Sequence, residues 1–373
     1  MLNIQKELRS GKTISEICDP MGIAHKEQDG KVILTYDMIE SFKFRDHPIV
    51  KECRGLILYT DNWDIACYPF ERFFNMGEGY ADKLPEDLEG CLVLEKLDGS
   101  LLSLWWDRVK STWSVSTRKM MYAEGNVNDL TDKTFAQLFT EAMQKTNIEN
   151  LIRLQLLDRG VTYCFELTSP LNRIVTRYES LNITLLTARD HQTLHEFPRI
   201  ALSELSKYLE VSLVKAIPMS NWEEILKMDV DPMFEGYVII KEQLGGSHLR
   251  VKVKNPSYLA ISKITSSHSK RAFMELIQGN KQDDFLGYFQ EYTDTITGLV
   301  AGLIKVDETV RKDWNELMGI ENQKEFALEA VKRKFPSILF HLKKNFVCLY
   351  GLRDYMVGLK TDSLLEMVEK MSK

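Results

Sequence analysis

Short runs of β-forming residues punctuated by turns occupy the first two thirds of the chain, and apolar residues recur at helical spacing in the last third. The runs at Lys31–Tyr36 (K-V-I-L-T-Y), 55–59 (G-L-I-L-Y), 101–106 (L-L-S-L-W-W), 182–186 and 236–240 (G-Y-V-I-I) are rich in β-branched and aromatic residues and predict strands. One helical stretch interrupts them. Phe135, Leu138, Phe139 and Met143 fall on one helical face, after Thr131 as a candidate cap. Phe285, Tyr288, Phe289, Tyr292, Ile296, Leu299 and Leu303 keep helical spacing for about five turns. Further helical patterns cover 323–334 and 337–349. Nine of the ten prolines lie at or before Pro256. The pattern predicts an α+β chain: a β-rich domain over residues 1–256 and an all-helical domain over 257–373.

The 373 residues carry 48 Lys/Arg against 54 Asp/Glu, a net charge of −6. From residue 257 onward 17 basic and 16 acidic residues give +1, so the first 256 residues carry −7. Bulk positive charge as a means of coating nucleic acid is therefore excluded, although a local basic groove is not. The six cysteines (Cys18, Cys53, Cys67, Cys91, Cys164, Cys348) form no C-x-x-C pair. They read as free thiols in a reducing compartment. The charged N-terminus is unlike a signal peptide, and no apolar run reaches the ~20 residues of a membrane span. A cytoplasmic protein is expected.

Several segments carry candidate chemistry. In Leu92 to Ser100 (L-V-L-E-K-L-D-G-S) a strand ends in Lys96, and Asp98 two residues on would share its face before the turn at Gly99. An exposed lysine followed by an Asp-Gly turn fits the same residues. In R-V-K-V-K, alternation places Arg250, Lys252 and Lys254 on one strand face. That strip either faces a polyphosphate or is an edge strand guarded by like charges. Glu166 (Y-C-F-E-L) and Glu235 (F-E-G-Y-V-I-I) are carboxylates in apolar strand contexts, each needing a cation, a hydroxyl or a metal. Arg54 opens an apolar strand, and Arg72 lies among aromatics in P-F-E-R-F-F-N. Either arginine would serve an acid, a ring or a phosphate.

Taken in order, these segments resemble the covalent nucleotidyl transferases: the ATP-dependent DNA and RNA ligases and the capping enzymes. The resemblance is nearest to phage tRNA-repair RNA ligases of the RNA ligase 1 type. It rests on E-C-R-G at 52–55, E-R-F-F-N at 71–75, K-L-D-G-S at 96–100 and F-E-L-T-S-P-L-N-R-I-V at 165–175. E-G-Y-V at 235–238 and V-K-V-K-N-P-S-Y at 251–258 complete it. It covers the N-terminal domain and reaches Asp283-Asp284.

The resemblance implies a nucleotidyl transferase (ATP-grasp-like ligase) domain that joins a 5′-phosphate to a 3′-hydroxyl through lysyl–AMP and RNA-adenylate intermediates. Lys96 is the implied nucleophile, and it must lose a proton to attack. Lys252 and Lys254 would stabilise phosphate charge, and Tyr258 would act in later steps. Tyr36, Arg54, Arg72, Arg118, Glu166 and Glu235 would contact the nucleotide, with Lys119 competing for the role of Arg118. Asp98, Glu166 and Glu235 would hold the waters of a magnesium ion, or of manganese in its place, and Asp283 and Asp284 a second ion or a helix N-terminus. ATP is the implied co-substrate. The implied partners are RNA, specifically tRNA broken in the anticodon loop, and an end-healing kinase–phosphatase. A monomer is expected, in the host cytoplasm if the source is a phage.

Two other readings use the same residues: a DNA ligase or capping guanylyltransferase, which would follow the K-x-K strand with a β-barrel, and a non-catalytic RNA-binding protein. Three further motifs are set aside. Gly11-Lys12-Thr13 lacks the earlier glycine of a P-loop. His191 and His195 lack the glutamate of a zinc helix. Lys332 to Lys334 and Lys343-Lys344 read as solvated helix faces.

Overall fold

The computed structural model describes residues 1–128, 131–219, 221–226, 231–245, 247–267, 269–279, 282–345 and 352–372. The chain divides into two compact units, Met1–Leu259 and Ala260–Lys373. The first is β-rich and the second helical, as the hydrophobic pattern predicts.

Three larger sheets and a two-stranded one, Asn126–Asn128 with Thr131–Thr134, are described in the first unit. Ile23–Gln28, Lys31–Tyr36, Arg54–Tyr59 and Ile65–Cys67 form an antiparallel meander. Every residue of Lys31–Tyr36 is buried. One face, with Val32 and Leu34, packs with Ile4, Leu8 and Ile17 of the N-terminal helices. Ile33 on the other face joins Trp105 and Met121. Lys31 has no exposed side-chain surface and is neutralised by Asp107 at 3.1 Å.

The second sheet runs Ser212–Leu213, Asn182–Asp190, Val161–Thr168, Ser100–Asp107, Thr112–Thr117. The third runs Ala216–Ile217, Cys91–Glu95, Gly236–Lys241, Leu249–Lys254, Phe74–Asn75. Lys96 to Gly99 is where the chain leaves the third sheet for the second. Gly99 is required there, because a Cβ would stand 2.3 Å from the Leu167 carbonyl oxygen of the adjoining strand. The helix Phe135–Met143 lays Leu138, Phe139 and Met143 on the second sheet, with Phe139 edge-on to Phe165 at 5.5 Å. Its cap is Thr134, not Thr131. Thr134 and Gln137 exchange hydrogen bonds in a capping box, and Thr131 begins a short strand.

In the second unit the five-turn pattern is not one helix. Gln282–Tyr288 and Thr293–Leu317 are separate, joined through Phe289 (φ −130°, ψ 65°) and the 3₁₀ turn Gln290–Tyr292. The break lets Phe285 and Phe289 stack at 4.8 Å while Tyr292 reaches Phe273 of a neighbouring helix at 5.1 Å. Tertiary packing here overrides helical period. The pattern at 323–334 forms a helix only over Gln323–Ala330, capped by Asn322. Pro336–Asn345 covers the start of the last predicted pattern, whose final residues lie outside the described ones.

Cys18, Cys53, Cys67 and Cys164 are buried free thiols and Cys91 is half-buried; Cys348 lies outside the described residues. No helix among the described residues is long and apolar enough to cross a membrane. Gly11-Lys12-Thr13 is a helix start: Thr13 caps Ile14–Cys18 and Lys12 pairs with Glu7. Lys332 pairs with Glu329, Arg333 with Asp313 and Glu316, and Lys343 donates to the Ile320 carbonyl.

Candidate active site

Lys96 ends the Cys91–Glu95 strand, and its N–H donates to the Gly236 carbonyl at 2.9 Å. Its Nζ lies 2.7 Å from Glu235 Oε2, while Lys254 Nζ lies 3.1 Å from Oε1 of the same carboxylate. One buried glutamate, 6% exposed, thus bridges two lysines from the strands on either side of Gly236–Lys241. The glycine after it explains the closeness. Gly236 has φ +136°, and a Cβ there would stand 2.1 Å from the Val253 carbonyl oxygen. Only glycine lets the paired strands Gly236–Lys241 and Leu249–Lys254 meet at that point.

Lys252 points to the same region, with its Nζ 4.3 Å from the centre of the Phe73 ring. Burial pulls its ammonium down to about 7, and the charges of Arg54, Lys96 and Lys254 act in the same direction. Arg54 lies over Phe70 at 4.5 Å, and its Nη1 is buried with no hydrogen-bond partner among the described residues. Desolvation lowers the pKa of this guanidinium as well. An unmatched buried donor among like charges is a place prepared for an anion. Glu166, on the Val161–Thr168 strand, accepts from the Gly99 N–H at 3.1 Å. Burial pushes its carboxyl up to about 7, against the pull of Lys96 and Arg54.

The Asp98 carboxylate is engaged by other partners. It is 2% exposed and its oxygens are taken. Oδ2 accepts from the N–H groups of Val175 (2.9 Å) and Thr176 (2.7 Å), and Oδ1 accepts from the Tyr258 hydroxyl (2.6 Å). The expected three-carboxylate grouping of Asp98, Glu166 and Glu235 is not formed. Among the described residues, no three His, Cys, Asp or Glu side chains are grouped so that they could hold a metal ion directly. The reason is local: extended residues two apart share a face, but the chain turns at Leu97 to Gly99 on its way between sheets. Asp283 is exposed in the first turn of Gln282–Tyr288, in the other unit, and the side chain of Asp284 lies outside the described residues.

Tyr36, Arg72 and Arg118 form a stack. Tyr36 is buried, with the Arg72 guanidinium 4.1 Å and the Arg118 guanidinium 5.3 Å from its ring centre. Arg72 Nη1 also donates to Ser41 Oγ at 3.2 Å. Arg118 rather than Lys119 joins this group, because its backbone packs against Gly55, where a Cβ would lie 3.1 Å from the Arg118 Cα.

The cationic strip is shorter than alternation suggests. Arg250 is buried and paired through both terminal nitrogens with Glu196, which also binds Arg189 at 2.7 Å. Only Lys252 and Lys254 of the three remain toward Lys96. His191 contacts the Thr162 hydroxyl at 2.7 Å, and burial lowers its imidazole to about 4.

With this geometry in place, the comparison with known proteins is decisive at the family level. The RNA ligase family profile matches residues 52–258, from the E-C-R-G glutamate to the tyrosine held by Asp98. The chain belongs to the RNA ligase family. A protein of Autographa californica nuclear polyhedrosis virus named for polynucleotide kinase and RNA ligase is 29% identical over 79% of this chain and 43% of its own length. An RNA ligase of Rhodothermus phage RM378 is 27% identical over 63% of this chain and 65% of its own. The chain therefore spans under two thirds of the length of each of these two relatives. A Thermovibrio ammonificans protein, also named for RNA ligase, is 27% identical over 85% and 87%. Among solved structures, an archaeal ATP-dependent RNA ligase aligns with a TM-score of 0.48 at 13% identity, covering 78% of this chain and 76% of that one.

Within this RNA ligase-family site, two contributors escape sequence reasoning. Phe73 supplies the ring beneath Lys252, and the only trace of it is the aromatic crowding of F-E-R-F-F. Glu196 removes Arg250 from the strip, and no pattern links residues 54 apart.

Proposed function

We propose that this chain is an ATP-dependent RNA ligase that works through a lysyl–AMP intermediate on Lys96. The observation that carries this reading is Glu235 bridging Lys96 and Lys254, with Lys252 and the unmatched Arg54 donor close enough for their charges to act on one another. A binding module needs no nucleophile in such company.

The steps follow from the residues. The Lys96 amine, once it has given up its proton, attacks the α-phosphorus of ATP. An N–P bond forms and the bond to pyrophosphate breaks. Leaving Glu235 is a precondition, since Nζ is engaged by that carboxylate at 2.7 Å. Lys252 and Arg54 stabilise charge on the phosphate oxygens. A 5′-phosphate oxygen of RNA then displaces the lysine from the AMP phosphorus. In the last step a 3′-hydroxyl attacks the RNA phosphorus, sealing the strand and releasing AMP. Tyr258 and Asp98 act here as positioning residues, holding the 175–176 backbone. A divalent ion, magnesium or manganese, fits beside Glu166, whose buried carboxylate is short of positive charge and repelled by Glu235. Those two glutamates would hold it or its waters, and when bound it would neutralise phosphate charge.

The name of the baculovirus relative pairs polynucleotide kinase with RNA ligase. That supports a place after an end-healing kinase. A tRNA cut in the anticodon loop as the substrate, with the helical unit as the source of RNA preference, rests on the motif resemblance alone. The test is an intact-mass measurement after incubation with ATP and magnesium. An adenylate adduct is expected in the wild type and not in Lys96→Ala. An adduct that survives the substitution, or forms with GTP instead, overturns the mechanism. Joining of a nicked DNA duplex in preference to broken anticodon-loop RNA overturns the substrate.

A further inference from the structure

The line of cations leading away from Lys96 continues past the residues assigned to ATP. Arg72, over Tyr36, feels the charge of Arg45. The Arg45 guanidinium lies between two rings, 3.8 Å from the centre of Phe42 and 4.6 Å from that of Tyr80. Its Nε is buried without a hydrogen-bond partner among the described residues, and so is Asn75 Oδ1 nearby. Tyr80 in turn packs against Phe74 at 6.0 Å, and Arg72 lies 5.3 Å from that ring. The group is thus physically continuous with the Lys96 site.

Its outer side is open. Phe42 is 55% and Tyr80 42% exposed, and Ile39 beside them is 85% exposed. The segment is not loose: Asp37 accepts from the N–H groups of Ile39 (2.7 Å) and Glu40 (3.0 Å), fixing the turn that presents Phe42. Exposed rings alternating with guanidinium groups match a flexible polyanion that carries flat bases. Glu78 is an opposing charge that acts on Arg72, and it is engaged with Asn75.

We propose that Phe42, Arg45 and Tyr80 form a subsite for single-stranded RNA beside the strand break, the rings taking a nucleobase and Arg45 a backbone phosphate. This rests on the RNA ligase reading for its ligand class, but its test does not depend on ligation. A fluorescent 5′-phosphorylated single-stranded RNA is titrated with the full chain, and binding is followed by anisotropy. The Phe42→Ala/Tyr80→Ala double variant is expected to raise the Kd by about tenfold or more. Phe42→Trp, which keeps a ring, is expected to retain wild-type affinity. Arg45→Gln is expected to flatten the salt dependence of binding by about one unit of slope. Formation of the ATP-dependent adduct, read by mass without RNA, is expected to be unchanged in the double variant, which also reports that it is folded. An unchanged RNA Kd, or slower adduct formation at an unchanged RNA Kd, overturns the subsite. A wild type that binds RNA but forms no adduct refutes the ligase reading alone, and the Kd comparison still decides the subsite.

Discussion

Glu196→Gln tests how the site is kept in its present form. Glu196 has no exposed side-chain surface and is shared by Arg250 and Arg189, which are themselves buried. Burial raises its pKa, but the two guanidinium groups win and hold it at about 2, against an ordinary 4.5. That depression is a difference of about 2.5 units, or about 3 kcal/mol at 1.36 kcal/mol per unit. A depressed carboxyl contributes its stability above the unfolded pKa and loses it as pH falls toward the folded one. The contribution is therefore whole at pH 7 and shrinks between about 4.5 and 2. The glutamine is nearly isosteric but leaves two buried cations with only the more distant Glu71, 3.9 Å from Arg189, to offset them. The first unit is expected to melt about 6–12 °C lower at pH 7. Thermal unfolding of both proteins from pH 7 to pH 3 is the assay, and the gap is expected to narrow on acidification. A loss under about 1 kcal/mol at pH 7, or a gap independent of pH, would refute the assignment of Glu196 as the ion that neutralises the two arginines.

Three other outcomes are expected. Glu166 has a raised carboxyl, so keeping it ionised in the fold costs stability once pH passes about 4.5, and in full above 7. Glu166→Gln is then expected to melt higher than the wild type at pH 8 and equally at pH 4; the opposite ordering at pH 8 refutes the desolvation. Tyr258→Phe removes the donor to buried Asp98 and is expected to cost about 1–3 kcal/mol in urea unfolding; a loss below about 0.5 kcal/mol would mean the hydroxyl is not needed there. Gly236→Ala would force the Leu249–Lys254 strand away from Glu235 and is expected to abolish adduct formation while an exposed control, Gly30→Ala, keeps it; normal adduct yield in Gly236→Ala would show that the close approach is dispensable.

Much of the candidate site is legible in one dimension. Lys96, Glu235, Lys252 and Lys254 are named by strand position and by the resemblance, and the fold brings them together. Strand positions are legible because a half-buried strand has to alternate, and the period of two fixes which side chains share a face. The motif glycines follow from the same logic: at Gly99 and Gly236 a backbone passes where a Cβ would stand.

The errors share another cause. Alternation places Arg250 with the two lysines, yet Glu196 claims it. Spacing places Asp98 beside Lys96, yet the 175–176 backbone claims it. Helical period runs through Phe289, yet packing on Phe273 breaks it. In each case the local rule gives a direction, and the partner comes from a remote segment. The sequence by itself determined most of the elements, the faces of their side chains and the candidate groups, because these depend on neighbours along the chain. Which charges are free to meet a ligand was decided only by the tertiary structure, because charge neutralisation in a buried place depends on whichever opposite charge the fold carries within reach.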